Sequence, residues 1–166
     1  MDQSLDKLRH IFSRLNLLCA ILGAALLFFI ATIICFEVTV RAFGGSSRLW
    51  VIEVSEYALL FITFLGAPYL LEKNAHVVLD LLYASLSRKP RLIVQTLNAG
   101  IGFAVCGVLT VVGIQVVLDQ FSTGTREVTV MRPLSWWITA SLPLGMGLMS
   151  VQFLDQLVRS FRGEVL

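Results

Sequence analysis

Three long stretches of the sequence contain no charged side chain, and they constrain the fold more than any other feature. They run from Leu15 to Phe36, from Leu92 to Leu118 and from Pro133 to Leu154. Each is long enough to cross a hydrocarbon core of about 30 Å at about 1.5 Å per residue. Because 57% of all residues are hydrophobic and only 14% are charged, the sequence predicts an all-α membrane protein.

Two other interpretations fit the first stretch less well. A soluble helical bundle keeps a polar stripe at the 3.6-residue period, and Leu15 to Phe36 has none. A cleaved signal peptide has a shorter apolar region than this stretch. We therefore interpret it as a retained membrane span.

Lysine and arginine are unevenly divided between the two sides of such a protein. Nine lie in the N-terminal tail, in the 72–91 connection and in the C-terminal tail, whereas four lie in the other connections: Arg41, Arg48, Arg126 and Arg132. By the positive-inside rule, both termini are predicted to be cytoplasmic, and the net charge of +2 gives no indication of a nucleic-acid partner. Three tryptophans are expected to form an aromatic belt at the outer membrane interface: Trp50, Trp136 and Trp137.

The fourth predicted span must include two carboxylates near its outer end. The uncharged run from Tyr57 to Leu71 is too short to cross alone, so a crossing of about 20 residues draws in Glu53 and Glu56. These two lie one helical turn apart, and an unpaired carboxylate in lipid is costly. We therefore predict an ion network centred on Glu56 in the outer leaflet; its members are Glu37, Arg41, Glu53 and Glu56. The alternative is that both glutamates of the second span face headgroup water.

The resulting plan is a single membrane domain of residues 1–166, with spans at about 15–42, 50–71, 92–118 and 133–154. Between the second and third spans, Asn74 can cap a short amphipathic helix at about 75–87, with His76 and Asp80 on its polar face. This segment is expected to lie along the inner membrane interface, although a solvated loop is the alternative. Helix packing and a kink near the middle of the last span are expected at five positions: Gly66, Gly100, Ala104, Pro143 and Gly145.

No residue pattern predicts catalysis or a bound cofactor. His76 and Asp80 have the i, i+4 spacing of two metal ligands, but a metal site needs three or four. The predicted spans contain no histidine for haem, and the three cysteines lie singly within them. The sequence therefore predicts a protein that is not an enzyme.

Several segments, in this order, resemble the small membrane subunit of tripartite ATP-independent periplasmic (TRAP) transporters, the DctQ type. They are R-A-F-G-G from Arg41, L-W-V-I-E-V-S-E-Y from Leu49, F-L-G-A from Phe64, H-V-V-L-D from His76, W-W from Trp136 and P-L-G from Pro143. The resemblance covers nearly the whole chain. It implies a non-catalytic subunit of the bacterial inner membrane that pairs with a large membrane subunit holding the sodium and substrate sites.

The same resemblance implies that a periplasmic binding protein delivers an organic acid, such as a C4-dicarboxylate or a sialic acid, to the outer surface of the pair. Arg48, Arg126 and Arg132 then become expected docking contacts for that protein. Two alternatives stay open from the residues alone. The chain could be a small proton-coupled exporter that acts as a homo-oligomer through Glu56, or an anchor or assembly subunit of another membrane complex.

Overall fold

The computed structural model describes residues 2–46, 48–72 and 88–161, and it is helical along most of that length. The helices are α1 (Asp2–Ala42), α2 (Leu49–Glu72), α3 (Arg88–Thr123), α4 (Ser135–Thr139) and α5 (Ser141–Phe161). Four helical segments are long and apolar enough to cross a membrane: Phe12–Ala42, Leu49–Glu72, Pro90–Thr123 and Ser135–Phe161, the last made of α4 and α5 together. The protein is therefore an all-α membrane protein with four transmembrane helices. The amphipathic helix predicted at 75–87, with His76 and Asp80, lies outside the described residues.

The end of α1 follows from its two glycines. Gly44 has a φ of 84°, which favours glycine, and its N–H donates to the carbonyl of Arg41 at 3.1 Å. The N–H of Gly45 donates to the carbonyl of Val40 at 2.9 Å, which completes a Schellman cap. The first predicted span ends at about residue 42, and α1 ends at Ala42, just before these two glycines.

The last span is divided near its outer end. Pro143 has no N–H to donate to the carbonyl of Thr139, four residues earlier. The helix is interrupted there, because α4 ends at Thr139 and α5 begins at Ser141. The hydroxyl of Ser141 donates to the carbonyl of Ile138 at 2.8 Å across the interruption. The break thus lies in the outer part of the span, whereas the sequence places a kink near its middle.

The transmembrane helices pack as a row in the order α1, α2, α5, α3. Helix α1 packs chiefly against α2, α2 also packs against α5, and α5 packs most extensively against α3. On α1, the buried residues Asn16, Cys19 and Ile30 form the stripe that contacts α2. A row buries less side-chain surface than a closed bundle, so large parts of α2 and α3 remain uncovered by the rest of the described chain.

Two glycines allow close helix contacts. A methyl group on Gly145 of α5 would lie 2.9 Å from the Cβ of Phe64 on α2 and closer still to its carbonyl oxygen. A methyl group on Gly102 of α3 would lie 2.7 Å from the ring of Phe153 on α5. By contrast, no described residue lies within 4 Å of a methyl group built at Gly66 or Gly100.

The expected close approach along Gly100 and Ala104 is therefore not made within the described residues of this chain. Ala104 is exposed, and α3 contacts α5 through a neighbouring face that carries Gly102 and Cys106. Glycine spacing indicates where a helix can approach another, but several faces of α3 carry small residues. Side-chain fit with α5 decides which of them is used.

Candidate functional site on the outer surface

The loop from residue 124 to residue 134 folds back on itself on the side opposite the start of α1 and the end of α5, which is called the outer surface below, following the orientation predicted from the sequence. The N–H of Ser135 donates to the carbonyl of Thr125 at 3.0 Å, and the N–H of Glu127 donates to that of Pro133 at 3.0 Å. These bonds join the two ends of the loop. These bonds do not include residues 128–132 at the tip of the loop, which are positioned by another element.

Helix α2 provides that element through Glu53 and Tyr57. The carboxylate of Glu53 accepts hydrogen bonds from the backbone N–H groups of Val130 at 2.6 Å and Met131 at 3.0 Å. One turn further along α2, the Tyr57 hydroxyl donates to Oγ1 of Thr129 at 3.1 Å. Charge-assisted bonds from backbone amides are stronger than neutral ones. Glu53 therefore fixes the tip of the loop against the start of α2.

An open groove of about 560 Å³ lies between α2 and this loop. Its lining residues are Leu49, Ile52, Glu53, Glu56, Val128, Thr129, Val130 and Arg132. Val128 is fully exposed at the tip. The groove combines apolar side chains, two carboxylates and one guanidinium group.

The predicted ion network is not assembled as one cluster. Arg41 pairs with Glu37 at 3.0 Å on α1, with i, i+4 spacing. Glu53 instead accepts from the loop amides, and Glu56 is exposed in the groove. Across the described ranges, we find no hydrogen bond or ion pair made by Glu56. The structure therefore brings Glu37 and Arg41 together and leaves Glu56 outside that pair.

The three arginines predicted to contact a binding protein are exposed at the outer surface. Arg126 donates through Nη1 to the backbone carbonyl of Arg132 at 3.4 Å within the loop. Arg132 itself has a φ of 46°, which is a strained conformation for a residue with a side chain. The guanidinium carbon of Arg48, in the connection between α1 and α2, lies 5.5 Å from the ring centre of Phe36.

The tryptophans lie at the outer ends of the helices. Trp136 contacts Phe121 of α3 edge to face at 5.6 Å, and Trp137 lies 5.7 Å from Phe61 of α2, both measured between ring centres. Trp50 is partly exposed at the start of α2. The rings of Trp136 and Trp137 join α4 to both of its neighbours, a role that the predicted aromatic belt does not by itself require.

One polar contact at the inner side is not predicted from the sequence. Asn16 is 1% exposed on α1, and its Nδ2 donates to Oε2 of Glu72 on α2 at 2.6 Å. The sequence does carry a signal for it, because Asn16 is a carboxamide within an otherwise apolar stripe. The two residues are 56 positions apart, so their pairing requires the packing of α1 on α2.

The described residues hold no group of three or more His, Cys, Asp or Glu side chains that could bind a metal ion. Comparison with known proteins gives a family. Residues 30–163 match the family described as "Tripartite ATP-independent periplasmic transporters, DctQ component". The chain is also 24% identical over 111 residues to the "C4-dicarboxylate TRAP transporter small permease protein DctQ" of Rhodobacter capsulatus.

That alignment covers 67% of this chain and 48% of the relative, so the chain spans about half the length of the relative it matches. The family match is broader, since it extends from the middle of α1 to the end of α5. It includes the outer loop, the groove and all three arginines. The chain therefore belongs to the DctQ component family of TRAP transporters and is a multi-pass protein of the inner membrane.

Proposed function

We propose that this chain is the non-catalytic small subunit of a sodium-driven TRAP transporter for organic acids. It stabilises the large membrane subunit, which transports the substrate, and its outer surface contributes to docking of the periplasmic binding protein. The proposed substrates are carboxylates, with C4-dicarboxylates favoured by the printed name of the Rhodobacter capsulatus relative and sialic acids as a second group.

The observation that carries the docking role is the ordered outer loop. The bonds from Val130 and Met131 to Glu53 hold the loop in one conformation, so Arg126 and Arg132 are presented at defined positions. A surface that is ordered before binding loses less conformational entropy when a partner docks. Exposed arginines also increase the rate of encounter with an acidic surface, and this effect weakens as salt is added.

The scaffold role is supported by the way the helices pack. The described helices pack as a row of α1, α2, α5 and α3 rather than as a closed bundle. It offers long apolar helix faces instead, which suit contact with a second membrane subunit. The row can therefore enlarge a fixed membrane framework beside a moving transport subunit.

The test is sodium-dependent uptake by proteoliposomes that contain this chain, the large subunit and the binding protein. Arg48→Glu and Arg126→Glu should raise the binding-protein concentration needed for half-maximal uptake several-fold, since exposed charges act mainly on association. The maximal rate and copurification with the large subunit should stay unchanged. Arg14→Gln is the control, because Arg14 is exposed at the opposite end of α1.

Three results would contradict parts of this proposal. Unaltered binding-protein dependence in both arginine variants would remove the docking role. Uptake that proceeds equally without a sodium gradient would show that sodium does not drive transport. Failure of the unmodified chain to copurify with the large subunit would remove the scaffold role.

A further inference from the structure

One face of α2 is left uncovered by the described part of the chain from residue 52 to residue 70. Ile52, Leu59 and Leu70 are 51%, 53% and 54% exposed, which is more than half of each side chain. At about 100° per residue they lie on one stripe, together with further uncovered positions. The complete set, called the open face of α2 below, is Ile52, Glu56, Leu59, Thr63, Gly66 and Leu70.

Apolar exposure on this face is expected of a helix in lipid, so it does not by itself indicate a partner. The polar groups are more informative. The Thr63 hydroxyl donates to the carbonyl of Leu59 at 2.9 Å and is satisfied within α2. Glu56 has no comparable bond in the described chain. Its carboxylate can only accept hydrogen bonds, and the carbonyl groups of the helix are acceptors that have no hydrogen to donate.

The cations near Glu56 are engaged elsewhere or too distant. Arg41 pairs with Glu37, and Arg132 lines the same groove without an ion pair to Glu56 within 4.0 Å. The loop amides are bound to Glu53. Within the described part of the chain, no cation or N–H group therefore neutralises or bonds the one carboxylate on the open face.

An unpaired carboxylate beside hydrocarbon is unfavourable, with a cost that decreases toward the interface. Glu56 lies seven residues into α2, about 10 Å from its start. Below it, Gly66 offers a position where another backbone can approach closely, since none of the residues that the structure describes lies within 4 Å of a methyl group there. The open face thus combines an apolar surface, a close-approach site and an acidic group at its outer end.

We propose that a transmembrane helix of the large membrane subunit packs against the open face of α2, and that an arginine or lysine near the outer end of this helix pairs with Glu56. The proposal rests on the proposed function, which supplies the large subunit. It adds the surface that is used and the charge of the contacting group. The unpaired carboxylate favours a positively charged group on the contacting helix, because a cation can neutralise Glu56 while the loop amides stay bonded to Glu53.

The experiment is copurification of the co-expressed large subunit with variants of this chain. Glu56→Lys should reduce the amount of bound large subunit about ten-fold or more, because it places like charges in contact. Glu56→Gln should reduce it less. Asp119→Lys is the matched control, since Asp119 is another exposed acidic residue, but on α3 rather than on the open face. It should leave the amount of bound subunit unchanged.

The pairing group is identified by charge exchange. Each arginine or lysine at the outer helix ends of the large subunit is changed to glutamate in the Glu56→Lys background, and one such change should restore association. Folding is checked by the thermal stability of the separate small subunit. Glu56→Lys should not alter it, because Glu56 has no partner in the described chain.

Four outcomes overturn the proposal. Full association of Glu56→Lys, or equal loss in Asp119→Lys, shows that the open face is not specific. If Glu56→Gln and Arg132→Ala destabilise the separate subunit equally, Glu56 pairs with Arg132 within the subunit. If Glu56→Lys changes the thermal stability of the separate subunit in phosphatidylethanolamine nanodiscs but not in phosphatidylcholine nanodiscs, Glu56 binds an amine headgroup. If the unmodified chain fails to bind the large subunit, the proposed function itself is wrong.

Discussion

Removal of the Glu53 carboxylate should release the outer loop from α2. Both carboxylate oxygens are used, since Oε1 accepts from Val130 at 2.6 Å and Oε2 from Met131 at 3.0 Å. A hydrogen bond to a charged group contributes about 1.5 to 3 kcal/mol. Because these bonds are exposed to water, we take about 2 kcal/mol for the pair together. Glu53→Ala should therefore favour local opening of the loop about 30-fold.

Hydrogen exchange measures this opening directly. The Val130 and Met131 amides should lose about 30-fold in protection in Glu53→Ala, whereas Glu53→Gln retains one acceptor oxygen and should lose about five-fold. Glu56→Gln is the control, because Glu56 lies one turn away and does not bond these amides. Exchange at 130 and 131 that stays within about two-fold of the unmodified protein in Glu53→Ala would refute the reasoning. The closing bonds at Ser135 and Glu127 would then position the loop alone.

Two further predictions concern the helix contacts. Gly145→Ala should destabilise the subunit by about 1 to 3 kcal/mol in thermal unfolding in detergent, because the added methyl group overlaps Phe64. Gly66→Ala is the control and should not destabilise it. Equal effects of the two substitutions would mean that α2 and α5 do not pack as described. Asn16→Leu should cost about 0.6 to 2 kcal/mol by removing the bond to Glu72, and unchanged unfolding would show that this contact contributes nothing.

The sequence predicts the features that depend on one segment at a time. The span lengths follow from the spacing of charges, the end of α1 from Gly44 and Gly45, and the contact between Glu37 and Arg41 from their i, i+4 spacing. Each of these is decided within a short stretch of one helix. No knowledge of the neighbouring helices is needed for them.

The features that depend on helix order are not predictable in this way. In a membrane, the surface that contacts lipid and the surface that contacts another helix are both apolar, so hydropathy does not separate them. The contact of Gly145 with Phe64 and the absence of one at Gly100 among the described residues follow from the row arrangement. The bond from Asn16 to Glu72 likewise joins residues 56 positions apart.

The two glutamates at the start of α2 are neighbours in sequence but have different contacts in the folded protein. Glu53 and Glu56 are one turn apart, and sequence reasoning assigns both to one network. Three residues at about 100° each leave them offset by about 60° around the helix, and this offset is enough that Glu53 accepts the loop-tip amides while Glu56 falls on the open face. The amides of Val130 and Met131 are bonded to Glu53 and are not available to Glu56, which is why we propose that the neutralising charge for Glu56 comes from the large membrane subunit.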